Sequence, residues 1–205
     1  MSAPTPAMFI ADSTGLDFLN SVATPVSVTV DWIDDGKGLL DWLAQAGLVP
    51  NDVLAAMQGG AMPGELDDLA GRARDLREWF REFVLAHKGR PLTAASLREL
   101  DPLNALLARD EGFSRVTAVG SGAIGFERVR RWTSPESLLL PIGEAMAKLV
   151  SEEDFSYVKA CEGPTCTLLF ADHTRGHVRR WCSMSACGNR AKQLAHRHRV
   201  ATRGA

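Results

Sequence analysis

The sequence predicts an α+β protein with a mostly helical N-terminal domain, one small antiparallel hairpin, and a short C-terminal segment built around cysteines. Three observations predict this class. Helical periodicity recurs through the first 150 residues, two strand-like runs flank Gly120-Ser121-Gly122, and all four cysteines follow residue 160. The 205 residues are 45% apolar and 23% charged, which is typical of a globular protein and excludes a disordered one.

The elements follow from caps, periodicity and stops. Asp12 or Ser13 caps a first short helix, and apolar alternation predicts an extended segment over Val26–Trp32. Pro102 and Pro141 are expected to bend or delay the helices that contain them. Further helices are predicted at residues 39–46, 50–60, 64–87, 93–108 and 134–150, and strands at 113–119 and 123–132.

Charge divides the chain near residue 158. Residues 1–158 carry 14 basic and 23 acidic residues, a net charge of −9, whereas residues 159–205 carry nine basic and two acidic residues, a net charge of +7. We therefore predict two domains with different partners, residues 1–154 and residues 155–205. Charge alone leaves a solvated basic tail open as the alternative.

Four cysteines form two pairs of identical spacing, Cys161 with Cys166 and Cys182 with Cys187. Gly163-Pro164 predicts a turn that points the first two thiols at one metal ion. Four thiolates are the ligands of a closed structural zinc site, so we predict one Zn²⁺ per chain. Disulfides are disfavoured because residues 1–10 lack the basic residue and long apolar run of a secretory signal. A redox pair is disfavoured because four residues separate the cysteines of each pair.

The chain has no apolar run near the roughly 20 residues that a bilayer span needs, and Pro141 ends the run Leu138–Leu140. We expect a cytoplasmic protein without a membrane partner. The segment after residue 155 has few large apolar residues, so we expect zinc to stabilise it.

The sequence from Cys161 to Arg199 resembles the CGNR zinc-finger family, and the N-terminal part is similar to the ABATE domain that precedes this finger in bacterial proteins. The resemblance implies a treble-clef-like finger, an ABATE fold of helices plus a small sheet, and a role in stress-related transcription regulation. Pro102 departs from what the resemblance leads us to expect. The residues that carry the likeness are the first cysteine pair, 169–172, 179–184 and 187–192 in the finger, and 16–20 and 39–43 upstream.

The local pattern of the finger agrees with that fold. Thr167–Ala171 and His177–Trp181 are expected to pair as a hairpin across residues 172–176, and a final helix is expected from Ala186 to Arg199. His173 and His177 are weak candidates for metal ligands, because only six residues separate Cys166 from His173 where a Cys2His2 site has about twelve.

A closed zinc site has no open position for substrate, and the N-terminal domain has no catalytic constellation, so we expect no enzyme. The basic finger predicts a DNA-binding transcription regulator whose N-terminal domain senses a small-molecule effector or forms a homodimer. The alternative is a zinc-stabilised protein-interaction adaptor. For each basic residue, the alternative to DNA contact is a salt bridge within the protein or a contact with a thiolate, above all for Arg179 and Arg190. The predicted DNA contacts are Arg175, Arg179, Arg180, Arg190, Lys192, Arg197 and Arg199.

Overall fold

A computed structural model describes residues 6–24, 28–120, 122–194 and 197. The predicted α+β class is confirmed: helices pack around one core, and short two-stranded antiparallel sheets lie at its edges. No helix formed by these residues is long and apolar enough to cross a membrane. The α-helices are α1 (Thr14–Leu19), α2 (Gly36–Gln45), α3 (Asn51–Gly60), α4 (Glu65–His87), α5 (Asp101–Leu107) and α6 (Leu140–Glu152).

Two predicted helices begin with a 3-10 turn, and proline explains both. Residues Ala94–Leu100 form a 3-10 turn that leads into α5, with Pro102 in the first turn of α5. Residues Pro135–Leu139 do the same before α6, which carries Pro141 in its first turn. Proline is tolerated there because the first N–H groups of a helix have no partner within it.

The strands of the described residues pair in three sheets. Strands β1 (Val22–Ala23) and β2 (Val30–Asp31) form a short pair, so little of the extended segment predicted over 26–32 is strand, and residues 25–27 lie outside the described residues. Strands β3 (Gly112–Val119) and β4 (Ala123–Arg130) form the predicted hairpin. Strands β5 (Val158–Ala160) and β6 (Leu169–Ala171) lie in the C-terminal part.

The hydrophobic core is continuous from the N-terminal helices into the C-terminal segment. Phe18 packs edge-on against Trp42, and Phe83 packs edge-on against Phe155, where the C-terminal segment begins. Gly15 allows α1 to lie directly on α6, because a Cβ there would sit 2.7 Å from the carbonyl oxygen of Ala145. The core therefore includes side chains from both predicted domains.

A buried ion pair joins the longest helix to the β1–β2 edge. Arg77 on α4 is only 3% exposed and donates to both carboxylate oxygens of Asp31, at 2.8 and 2.7 Å, and to the hydroxyl of Ser21 at 3.0 Å. Burial opposes the ionisation of Asp31, but the hydrogen bonds from Arg77 outweigh it and lower the pKa of Asp31. Arg77 also pairs with Glu78 at 2.9 Å, so loss of Arg77 leaves the partly buried Asp31 carboxylate without its charged partner, which is destabilising.

A second buried carboxylate, Asp17 on α1, holds the chain that precedes its own helix. Its Oδ1 accepts hydrogen bonds from the backbone N–H groups of Ile10 and Ala11, both at 3.0 Å. Burial raises its pKa to about 6, despite these two bonds. A folded pKa above the unfolded value means that ionisation opposes folding, so this group lowers stability as the pH rises from about 4 to about 6.

We predict that Asp17→Asn stabilises the protein at pH 7. The amide oxygen still accepts both N–H bonds, while the cost of burying a charge disappears, so the free energy of unfolding should rise by about 1–2 kcal/mol. The difference from wild type should vanish below about pH 4, where Asp17 is neutral in both states. Chemical denaturation across this pH range measures it. Asp75→Asn, at an exposed position of α4, is the control and should change little; a destabilised Asp17→Asn variant at pH 7 would contradict the assignment.

Candidate metal centre

The frame of the C-terminal segment is the β5–β6 pair. Val158 lies opposite Ala171, and Ala160 lies opposite Leu169. The hairpin predicted between residues 167–171 and 177–181 is therefore wrong: β6 pairs with the strand before the first cysteine instead. Asp172 gives the reason, because its carboxylate accepts bonds from the backbone of Thr174 at 3.1 Å and of Arg179 at 2.9 Å. These bonds curl the chain away from β6.

The first cysteine pair sits on a tight turn directly after β5. The N–H of Cys161 donates to Leu168 at 2.9 Å, and the N–H of Cys166 donates to Gly163 at 3.0 Å. The N–H of Gly163 points at the Cys161 sulfur, 3.4 Å away. A Cβ on Gly163 would lie 3.0 Å from the Cys166 Cβ and 3.1 Å from the Cys187 Sγ, so only glycine fits without displacing the thiols.

The second cysteine pair brackets the start of the last helical segment. Ser183 caps a wide helical turn, Met184–Gly188, which contains Cys187, and helix continues from there through residue 194. The helix expected over 186–199 thus begins two residues early, and its end lies outside the described residues apart from residue 197. The backbone N–H of Cys182 donates to the Cys161 sulfur at 3.3 Å, so the two pairs are joined directly.

All four sulfurs converge within 4.8 Å of one another, and all four thiols are free. The Sγ atoms of Cys166 and Cys182 lie 3.8 Å apart, and those of Cys182 and Cys187 lie 3.6 Å apart. A disulfide has an S–S distance of about 2.05 Å, which excludes bridges at these separations. Sulfurs about 2.3 Å from a central zinc ion would lie about 3.8 Å from one another, so the cluster fits a tetrahedral metal site.

The thiols strongly affect one another's ionisation. The pKa of Cys166 falls to about 5, mainly because Cys182 donates a hydrogen bond to it. The same contact, together with burial, raises the pKa of Cys182 far above its ordinary value, and burial raises the pKa of Cys187 to about 11. A divalent cation is the charge that would hold four thiolates together at this site.

A buried carboxylate, Asp172, organises the other side of this segment, a structural role that no sequence motif predicted. Its side chain is fully buried and accepts a hydrogen bond from the Lys159 ammonium at 2.6 Å and from the Thr174 hydroxyl at 2.6 Å. Burial opposes its ionisation, but these bonds and the Arg179 backbone N–H hold its pKa well below the ordinary value. The signal available in the sequence was an acidic residue within an otherwise basic segment.

Two side chains, Asn20 and Arg179, attach the cysteine segment to the N-terminal part of the chain. Asn20, at the end of α1, donates to the carbonyl of Leu169 at 2.8 Å and accepts from its N–H at 2.9 Å, so it completes the open edge of β6. The backbone of Ala171 donates to Ala11 at 2.9 Å. Asn20 belongs to the upstream motif at residues 16–20, which therefore helps to hold the cysteine segment.

Arg179 is the second side chain that attaches the cysteine segment to the N-terminal part of the chain. Its five guanidinium N–H groups all have acceptors within the protein, and its charge lies 4.3 Å above the ring of Phe170. Arg179 was predicted to contact DNA, but its donors are fully used inside the fold. The acceptors are the carboxylate of Asp12 and the carbonyls of Ile10, Ala171, Trp181 and Cys182.

Comparison with known families agrees with this geometry. Residues 12–153 match the ABATE family, described as "Putative stress-induced transcription regulator", and residues 157–200 match the CGNR zinc finger. The chain belongs to the ABATE family. The predicted resemblance is confirmed for both parts, and the four-cysteine cluster of the CGNR finger is consistent with one structural zinc ion. A search of curated proteins finds no match.

The other basic residues of the CGNR finger occupy different environments. Arg180 pairs with Glu162 at 2.6 Å and lies 4.9 Å above the Trp181 ring, while Arg190 reaches the Cys187 sulfur at 3.8 Å. The remaining described members of the predicted set are exposed: Arg175, Lys192 and Arg197. Arg199, His196 and His198 lie outside the described residues.

Neither of the described histidines of the finger, His173 and His177, belongs to the thiol cluster. His173 pairs at 2.7 Å with Glu153, the residue that follows α6, and this contact raises the pKa of His173. The Nδ1 of His177 donates to the carbonyl of Asp172 at 2.7 Å, and its ring stacks on Tyr157 with centroids 3.4 Å apart. His173 therefore connects the finger to the N-terminal domain, whereas the contacts of His177 lie within the finger.

A cavity of about 320 Å³ lies between the start of α1, the α2–α3 turn and α6 of the ABATE domain. Its lining is charged rather than apolar and includes Arg130, Glu144 and Lys148. Asp12 and Glu153 also line it, and both carboxylates pair with residues of the finger, Arg179 and His173. A small-molecule effector of this domain remains a prediction.

We predict that Gly163→Ala weakens zinc binding by about tenfold, because the added methyl displaces the Cys166 and Cys187 side chains. Competition with a chromogenic chelator measures the affinity. Gly176→Ala is the matched control in the same finger: its Cβ would meet only Val178 at 3.7 Å, so its zinc affinity should equal that of wild type. Equal affinities for all three proteins would show that the turn does not shape the metal site.

Proposed function

We propose that this protein is a DNA-binding transcription regulator, in which a CGNR finger with one structural zinc contacts DNA and the ABATE domain controls it. The observation that supports this most is the closed four-thiol cluster within residues 159–205, of net charge +7, which follow residues 1–158, of net charge −9. Zinc bound by four thiolates would leave that segment with about +5. Such a charge attracts phosphates through counterion release.

The four cysteines are the proposed ligands, Cys161, Cys166, Cys182 and Cys187. When bound, zinc supplies a cross-link between the turn after β5 and the last helical segment, with no open position for catalysis. The chain's own residues orient the thiols: backbone N–H groups of Gly163 and Cys182 both point at the Cys161 sulfur.

We expect purified wild-type protein to contain one zinc per chain and the Cys161→Ser variant to contain none. Loss of one thiolate opens the tetrahedron and removes the acceptor of two backbone N–H groups. Elemental analysis measures the metal, and circular dichroism reports the loss of structure. Gly176→Ala keeps all four thiols, its Cβ would meet only Val178, and it is the control. Zinc retained at one equivalent in Cys161→Ser would remove this cysteine from the ligand set.

The proposed DNA contacts are the exposed basic side chains Arg175, Arg180, Lys192 and Arg197, with Arg199 outside the described residues. Lys192 and Arg197 lie in the last helical segment, which starts at the cysteine cluster. Zinc would therefore fix the orientation of this helix relative to the rest of the finger. Arg179 and Arg190 are assigned instead to holding the fold and the thiols.

We retain residues 1–154 and 155–205 as the two proposed domains, and propose that they communicate through two ion pairs. Asp12 with Arg179 and Glu153 with His173 connect the rim of the ABATE cavity to the finger. An effector that engages either carboxylate would compete with the finger for it. Binding of such an effector would therefore change the affinity of the protein for DNA.

A zinc-stabilised protein-interaction adaptor is the second candidate. The ion pairs of Arg179 with Asp12 and of Arg180 with Glu162 favour it, since they show that basic residues of the finger already bind carboxylates of this chain. An adaptor would bind acidic protein surfaces and would lack salt-sensitive affinity for DNA.

We predict that wild-type protein binds duplex DNA with an affinity that falls steeply with salt, and that Lys192→Ala and Arg197→Ala each reduce the slope of log K against log salt by about 1. Fluorescence anisotropy at several salt concentrations measures it. Lys37→Ala removes an exposed charge from α2 of the ABATE domain and should leave the slope unchanged. Absence of salt-dependent binding by the zinc-loaded wild type would overturn the proposal and favour the adaptor.

A further inference from the structure

The β3–β4 hairpin projects from the body and carries an apolar face. The register places Val116 opposite Phe126 and Ala118 opposite Ile124, so these four side chains share one face of the two-stranded sheet. Val116 is 69% exposed, Ile124 is 85% exposed and Phe126 is 76% exposed. Large apolar side chains this exposed, and adjacent to one another, mark an interaction surface.

Ion pairs and a backbone hydrogen bond hold the β3–β4 hairpin at its base. Arg130, at the end of β4, donates to both carboxylate oxygens of Asp110 at 2.7 Å and to Glu144 of α6 at 2.9 Å. Its neighbour Arg131 donates its backbone N–H to Glu111 at 2.7 Å. Beyond this base the strands contact chiefly each other. The ion pairs therefore hold the apolar face in a fixed orientation, which lowers the entropic cost of binding.

We propose that this face is a homodimer interface, packed against the same face of a second copy of the chain. An isologous interface must be self-complementary, and a strip whose centre is apolar meets this condition, whereas a charged strip would repel its own copy. The charged residues of the two strands lie at the base, as Arg128 and Arg130 do, or on the opposite face, where Arg115 pairs with Glu127 at 2.6 Å.

The area is sufficient for a dimer. Three large side chains at these exposures present on the order of 400 Å² of apolar surface. Two copies bury on the order of 800 Å² through them, and the flanking backbone and the aliphatic part of Arg128 bring the total to the roughly 1,000 Å² that a specific interface requires. An isolated two-stranded hairpin is only marginally stable, so covering this face would also stabilise the β3–β4 hairpin.

The dimer does not depend on the proposed function, because the hairpin lies in the ABATE domain and its apolar face is separate from the finger. DNA binding and dimerisation can therefore fail independently in experiments. If both hold, two fingers related by a twofold axis would read two half-sites.

Sedimentation equilibrium of the full-length, zinc-loaded protein, from about 1 to about 100 µM, tests the proposal. Wild type should form a dimer, and the double variant Ile124→Thr with Phe126→Thr should weaken it by about 30-fold or more, because threonine keeps the strand propensity but removes the apolar area. Met62→Thr removes an apolar side chain of equal exposure (73%) elsewhere and should dimerise like wild type. Ala123→Thr alters the opposite face of the hairpin and should also have no effect.

Hydrogen exchange of the wild type gives a second measurement that needs no variant. Amides of residues 113–130 should exchange more slowly as the concentration rises through the dimerisation range. A wild type that stays monomeric over the whole range would overturn the proposal, as would a dimer that the double variant does not weaken or hairpin protection that is independent of concentration.

Discussion

Strand β6 is the constraint on which the cysteine centre depends. Its side chains, Leu169, Phe170 and Ala171, are fully buried, although the segment after residue 155 is too small to bury them by itself. They are covered by the N-terminal helices, to which Asn20 joins the backbone of Leu169 by two hydrogen bonds. The cysteine turn before β6 and the Asp172 turn after it are therefore positioned by the ABATE helices as well as by the thiol cluster.

Charged residues also help to hold the cysteine segment on the ABATE helices. Asp172 is fully enclosed yet ionised, because Lys159 and the backbone of Arg179 satisfy it. Arg179 then returns to the N-terminal segment through Asp12 and Ile10. A residue that looks like part of a DNA-binding patch is thus used to join the finger to the ABATE helices, while the DNA-binding role is proposed for the residues beyond it.

The sequence could predict most of the local structure for identifiable reasons. The helix α4 follows from apolar residues at 3–4 spacing between Pro63-Gly64 and Gly89, and the hairpin follows from two strand-forming runs around a glycine turn. The convergence of the thiols follows from two short spacings and the Gly163 turn. By contrast, the pairing of β6 was predicted wrongly, since a local hairpin pattern carries no information about the distant residues Val158 and Asn20 that satisfy its two edges.

The sequence by itself determined the class of the fold, the four-cysteine centre and the charge difference between the two parts, because each depends on residues that are close in the chain or on composition. Only the tertiary structure decided which basic residues are exposed and which are paired within the protein. It also decided how the finger is held and which face of the hairpin is exposed to solvent. The attachment of the finger depends on contacts between residues more than 100 positions apart, such as Asn20 with Leu169 and Asp12 with Arg179. Side-chain burial and pairing at such distances are set by packing, which no local pattern encodes.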